Sequence, residues 1–251
     1  MYLCRVKRVL LLIIVAVICI TQALASDSTH TERIDTLRFT PRQLIVPGTL
    51  ITVGAVAVGI KPLAQARRWI NSEIGIHKCA PYDDYIQYLP AAGYLFLDFA
   101  GLKSRRPFVD RVIVGATGAI ITAALVRGTK LCVSELRPTG TSTNSFPSGH
   151  SATAFLGAEL LRQDYGPWVG ACGYLVASGV GVMRILNGRH WLNDVLAGAG
   201  IGILSARAAE WLLPFNRRWL GLDRRRGEAA VLVPAYSPAN RSFALTAAII
   251  F

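Results

Sequence analysis

Ser145-Phe-Pro-Ser-Gly-His150 lies between two apolar runs, and how it is read decides the rest of the chain. Pro147 cannot continue a helix arriving from its N-terminal side, Ser148 is a favoured helix N-cap, and Gly149 leaves room for another group to approach the backbone. The stretch therefore predicts a loop entering a helix start. The first backbone N–H groups of such a helix have no intrahelical acceptor, and they form an anion site for which phosphate is the natural guest.

Two clusters flank this loop. On one side Lys130 is followed after six residues by Arg137-Pro138; on the other, Arg184 is followed after five by His190 and after three more by Asp194. Residues 190 and 194 are one helical turn apart, so Asp194 is placed to hold one imidazole nitrogen of His190 protonated and leave the other free for attack. Three cations, a helix N-terminus and two histidines are what phosphate ester hydrolysis needs when side chains supply the charge that a metal would otherwise bring.

The clusters K-x6-RP, PSGH and R-x5-H-x3-D resemble the three signature motifs of the type 2 phosphatidic acid phosphatase family, which shares its site with vanadium haloperoxidases. The resemblance covers about 65 residues directly, and the apolar segments around them fit the family's helical core. It implies an all-α polytopic membrane bundle that hydrolyses lipid phosphates without a metal or other cofactor. It assigns His190 as nucleophile, Asp194 as its orienting carboxylate and His150 as general acid and base. Lys130, Arg137, Ser148, Gly149 and Arg184 become the phosphate-binding groups. Met183 stands where the third motif has serine, which removes one hydroxyl donor beside the phosphate. A vanadate-dependent peroxidase would use the same residues but would normally be soluble, and a disabled lipid-binding or transport protein is favoured only by Met183.

Composition agrees with a membrane location: of 251 residues 52% are hydrophobic and 17% charged, a balance unlike that of soluble domains. The net charge of +12 comes from short basic clusters between apolar runs, where lipid headgroups and the positive-inside rule account for it. No nucleic-acid motif is present. The five cysteines show no metal-ligand spacing. Cys172 falls in an apolar run and is expected to be a small buried hydrophobe. Cys79 and Cys132 are expected on one membrane face, either as two unpaired thiols or as partners in a bridge.

Residues 1–25 combine a basic start, an apolar run and Ala-Leu-Ala25, and read as a signal peptide cleaved after Ala25, with an uncleaved anchor as the competing reading. One domain is expected over 26–251. Within it, 44–60 is apolar but interrupted by Pro47-Gly48, Gly54 and Gly59, and reads as a re-entrant or surface-lying segment. Residues 61–80 read as an amphipathic helix with Lys61, Arg67 and Arg68 on the polar side. Spans follow at about 85–102, 110–128, 150–163, 167–184 and 191–213, which makes five; the six-helix pattern of many family members implies one more. With the basic turns at 103–106, 162–164 and 216–218 cytoplasmic, the motifs face the periplasm of a bacterial inner membrane. Residues 231–251 read as a β-hairpin tail. The expected partners are the bilayer and a lipid phosphate: lipid A phosphate, undecaprenyl diphosphate, phosphatidic acid or phosphatidylglycerol phosphate.

Overall fold

The computed structural model describes residues 40–74 and 82–222, together with the backbone of 229–237 and 242–250. The expected leader and Cys79 lie outside the described residues. The chain forms two compact units, Met1–Leu213 and Pro214–Phe251. In the first, a 3-10 turn Pro41–Leu44 leads into α1 (Ile45–Gly59), followed by α2 (Lys61–Ile74), α3 (Asp83–Ile86), α4 (Leu89–Phe96), α5 (Phe108–Cys132), α6 (Gly149–Tyr165) and α7 (Pro167–Leu186); α8 (Leu192–Trp219) begins here and ends in the second unit. The second unit also holds β1 (Ala229–Ser237) and β2 (Ser242–Ile250), paired antiparallel from Ala229↔Ile250 to Ser237↔Ser242.

Outside the β1–β2 pair the fold is all-α, and the chain is a multi-pass membrane protein. Four of its described helical segments are long and apolar enough to cross a bilayer: Pro41–Gly59, Phe108–Cys132, Pro167–Leu186 and Leu192–Trp219. α6 is the central helix and is buried along most of its length, from Ser151 to Asp164. Its apolar face packs with α7 and α8 through Ala154, Phe155, Ala158, Tyr174, Ala177, Val180, Ala199 and Ile203. A second cluster, Tyr94, Val114, Leu156, Leu160 and Leu213 among others, joins it to α4 and α5. Without a hydrophobic drive between helices in lipid, close approach at small residues sets the packing. A Cβ on Gly202 would lie 2.3 Å from the Ala152 carbonyl oxygen, and one on Gly200 would lie 2.7 Å from that of Pro47. α8 therefore presses α6 on one side and α1 on the other.

Residues 44–60 depart from expectation. They form a continuous helix, which runs along α8 with Gly54 against Asn193 and Ala197 and Pro47 against Gly200. Pro47 sits in the first turn of α1, where its missing N–H has no intrahelical partner to lose. Gln43 receives a hydrogen bond from Trp211 Nε1 at 3.2 Å, next to Glu210, whose partner Arg106 precedes α5. The chain thus enters α1 at the same end at which it enters α5, and α1 with its preceding turn is long and apolar enough to cross a bilayer. The expected helix 85–102 is also divided: Pro90 opens α4 as a separate helix, and a turn closes at Gly101. Cys172 is exposed on α7, on the side turned away from the protein, and not buried.

That far end is held by buried charge. Arg106 pairs with Asp164 at 2.8 Å and Glu210 at 3.2 Å, while fully buried Glu159 takes Arg162 at 2.9 Å, Arg207 at 2.7 Å and the Tyr174 hydroxyl at 2.6 Å. Buried charges at membrane depth persist when they are paired in this way.

Candidate active site

Every residue of the three sequence clusters lies at the opposite end of the bundle. Lys130 is in the last turn of α5, His150 in the first of α6, Arg184 in the last of α7, and Asp194 in the first of α8. Helix ends of alternating direction thus bring together groups far apart in sequence.

Ser148 is the N-cap of α6, and its Oγ accepts from the Ser151 amide at 3.4 Å and the Ser151 hydroxyl at 2.9 Å. It is fully buried, so its hydroxyl serves the helix start first. The Ser148 amide donates to the Asp194 carbonyl at 3.0 Å, which fastens the 145–150 loop to the start of α8. The space between them is small: a Cβ on Gly198 would stand 2.4 Å from the Ser148 carbonyl oxygen.

The segment between α7 and α8 turns at Gly188, whose φ of 62° suits glycine. The Arg184 carbonyl accepts from the Arg189 and His190 amides at 3.0 and 3.3 Å. His190 is thereby folded back over Asp194, with Nδ1 3.5 Å from Oδ2, too long for a tight hydrogen bond. Asp194 is fixed by other donors: the Trp191 amide at 2.9 Å, Asn193 Nδ2 at 3.0 Å, and the Ser145 hydroxyl. Burial pushes the His190 imidazole below its usual range, against the opposing pull of Asp194. A neutral ring, with Nε2 unprotonated and Nδ1 toward the carboxylate, suits a nucleophile.

Residues 133–145 form a narrow loop. The Glu135 amide donates to Thr143 O at 2.8 Å, Ser145 N to Glu135 O at 3.0 Å and Arg137 N to Ser142 O at 2.9 Å. Lys130 Nζ donates to the Asn144 carbonyl at 2.6 Å, and Trp191 Nε1 to the Leu136 carbonyl at 2.7 Å. Burial, then the neighbouring Arg184 and Arg189, hold the Arg137 guanidinium below its usual pKa. Lys130 also repels Arg137 and Arg184. Crowded cations that weaken one another call for an anion in their midst.

Several residues here were not singled out from sequence as site residues. Asp83 and Asp84 on α3 pair with Arg184 Nη1 at 2.7 and 3.3 Å, and Asp84 Oδ1 lies 2.8 Å from His150 Nε2. Arg67, expected on the polar side of an amphipathic helix, turns inward from α2, forms an ion pair with Glu135, donates to Asn193 Oδ1 at 3.3 Å and stacks 5.2 Å from the Trp191 ring. Trp69 is exposed on that helix instead. Arg189, adjacent to His190, adds a cation next to Arg137. The only sequence signal for these roles was a pair of acids at a helix start and an arginine in an amphipathic run.

Residues 111–218 match the model of the PAP2 superfamily. Over 169 residues the chain is 40% identical to the lipid A 1-phosphatase of Porphyromonas gingivalis; the match covers 63% of this chain and 38% of that protein. The chain thus spans about two fifths of that relative's length. Among solved structures it is similar to LpxE of Aquifex aeolicus, with 25% identity, 58% of this chain and 93% of that one covered, and a TM-score of 0.43. It is also similar to a transmembrane PAP2-type phosphatidylglycerolphosphate phosphatase from Bacillus subtilis, with 21% identity, 72% and 98% coverage, and a TM-score of 0.46.

Proposed function

We propose, from the match of residues 111–218 to the model of the PAP2 superfamily and from the geometry of the helix ends, that the protein hydrolyses the phosphate of a membrane lipid, with the 1-phosphate of lipid A as substrate. The observation that carries the reaction is the convergence of His190, its partner Asp194, His150 and the cations Lys130, Arg137 and Arg184 at one end of the bundle. The substrate is drawn from the lipid A 1-phosphatase that shares 40% identity over 169 residues.

In this mechanism Lys130, Arg137 and Arg184 hold the phosphoryl oxygens, joined by the N–H of Gly149 at the start of α6. His190 Nε2 attacks phosphorus in line with the leaving oxygen, and the P–O bond breaks as the N–P bond forms. Asp194 stabilises the imidazolium that results. His150 gives its proton to the leaving oxygen and later takes one from the water that cleaves the phosphohistidine.

The basic residues Lys103, Arg105 and Arg106 precede α5 at the end away from the site. By the positive-inside rule that end is cytoplasmic and the site opens to the periplasm, where phosphates of outward-facing lipids are presented. Purified protein in detergent is expected to release one phosphate from lipid A bisphosphate, faster than from phosphatidic acid, phosphatidylglycerol phosphate or undecaprenyl diphosphate. Faster release from one of the other three would replace the substrate, and release from none would refute the reading.

A further inference from the structure

The two carboxylates on α3 lie outside the three sequence clusters and outside residues 111–218, yet both touch groups that the proposed reaction uses. Asp83 is fully buried, and its Oδ2 holds Arg184 Nη1 at 2.7 Å while Oδ1 accepts from Asn187 Nδ2 at 3.4 Å. Asp84 is half-exposed, and its Oδ1 bridges His150 Nε2 at 2.8 Å and Arg184 Nη1 at 3.3 Å. Gln87 Nε2 donates to the Asp84 carbonyl at 2.8 Å and pins the short helix from its other side. A buried arginine beside a histidine normally drives protons off the ring. Here one carboxylate is placed between them.

We propose that Asp84 is the positioning residue of His150: it holds Nε2–H and thereby makes Nδ1 the atom that passes the proton to the leaving oxygen. This rests on the function proposed above. His150 and Asp84 then form a second histidine–carboxylate pair that mirrors His190 and Asp194, one pair serving the leaving group and the other the attack. Asp83 has the complementary task of fixing Arg184, so that its remaining donors stay directed at the phosphoryl group. The proton balance closes. Doubly protonated His150 gives the Nδ1 proton to the departing alkoxide and becomes neutral, still bound through Nε2–H to Asp84. The water that cleaves the N–P bond returns a proton to Nδ1.

The charged groups around His150 are Asp83 and Asp84 from α3, Arg184 from α7, and, beyond Arg184, Lys130 from α5 and Arg137 from the 133–145 loop. Burial and Arg184 lower its pKa, and Asp84 and Asp83 oppose them. Losing the Asp84 charge therefore leaves the cation opposed only by the more distant Asp83.

The test compares two substrates of different leaving group in Asp84→Asn, Asp84→Glu and the parent. Dioctanoyl phosphatidic acid needs a protonated leaving oxygen; 4-nitrophenyl phosphate does not, because nitrophenolate departs as the anion. Asp84→Asn is expected to slow the lipid phosphate by about 10²-fold, the scale of general-acid catalysis, while the first-turnover burst of nitrophenolate stays within about threefold. Asp84→Glu is expected to recover part of the loss. Equal slowing of both substrates would mean a merely structural residue and overturn the proposal. A second readout does not depend on turnover: in protein labelled with [13C]histidine, the His150 titration midpoint is expected to fall in Asp84→Asn and not in Asp84→Glu. An unmoved midpoint overturns the pairing. If the parent releases no phosphate from any lipid, the functional reading fails and the titration alone decides the role of Asp84.

Discussion

Gly198 is where helix packing and chemistry meet most closely. Its missing side chain is all that separates α8 from the Ser148 carbonyl, 2.4 Å from where a Cβ would be, with Ser151 Cβ at 3.2 Å and the Ala152 amide nitrogen at 3.3 Å. An ordinary contact begins near 3.4 Å, so Gly198→Ala must push the 145–150 loop about 1 Å away from α8. The Ser148 amide is bonded to the Asp194 carbonyl on the same surface, so the displacement separates the α6 N-terminus from Asp194 and His190. A misplacement of that size in a reacting constellation costs about 10²-fold in rate. Stability should change less: overpacking costs about 1–3 kcal/mol, and alanine returns about 1 kcal/mol of helix propensity. The assay is kcat/KM for phosphate release from lipid A alongside thermal unfolding in the same detergent. Gly179→Ala is the control, because nothing lies within 4 Å of its missing Cβ. The expected result is a loss of about 10²-fold at 198 with a small shift in Tm, and parental activity at 179. Activity of Gly198→Ala within about threefold of the parent would refute the argument that this contact sets the site geometry.

Three further outcomes follow from the site. The proposed roles require His190 neutral and His150 charged, and burial lowers both pKa values; on these roles His190 becomes competent only as pH rises through its lowered value, and His150 is lost as pH rises through its own. The kcat/KM optimum is therefore expected on the acid side of about 6.5, and an optimum near pH 8 or above would contradict the assignment of roles. Met183→Ser restores the hydroxyl of the third motif and is expected to tighten vanadate inhibition by about 0.5–1.5 kcal/mol; no change would mean that no donor from position 183 reaches the phosphoryl group. Cys132 is exposed at the end of α5 that holds the site, so a membrane-impermeant maleimide should label it in intact cells, while Ser104→Cys at the far end should stay unlabelled. The reverse pattern would put the site in the cytoplasm.

The core of the candidate site was legible because its residues are local in sequence: His190 and Asp194 share one turn, and Ser148 caps the helix that His150 enters. The residues that support these groups were not, because their contacts span long separations. Asp84 reaches His150 across 66 residues and Asp83 reaches Arg184 across 101, and nothing in the pattern of either segment marks the other. Helix boundaries failed where one residue type has two uses. Pro47 and Gly54 looked like breaks in a membrane segment, but the proline lies in a first turn and the glycine admits the backbone of α8. Pro90 had the opposite effect, starting a new helix inside what read as one. The inward contacts of Arg67 could not be read from its place on a polar side, because amphipathicity gives the face of a helix, not what is packed beneath it.

The central claim is that His190 carries the phosphoryl group, and chemical trapping tests it most directly. Parent protein is mixed with lipid A carrying a labelled 1-phosphate in the presence of EDTA, quenched in alkali within the first turnover, and digested for mass spectrometry. The account predicts phosphate on the peptide containing His190, stable in alkali and lost in acid, absent from His190→Ala, and accompanied by undiminished release in the chelator. Sustained release by His190→Ala, or turnover that stops with EDTA, would contradict it.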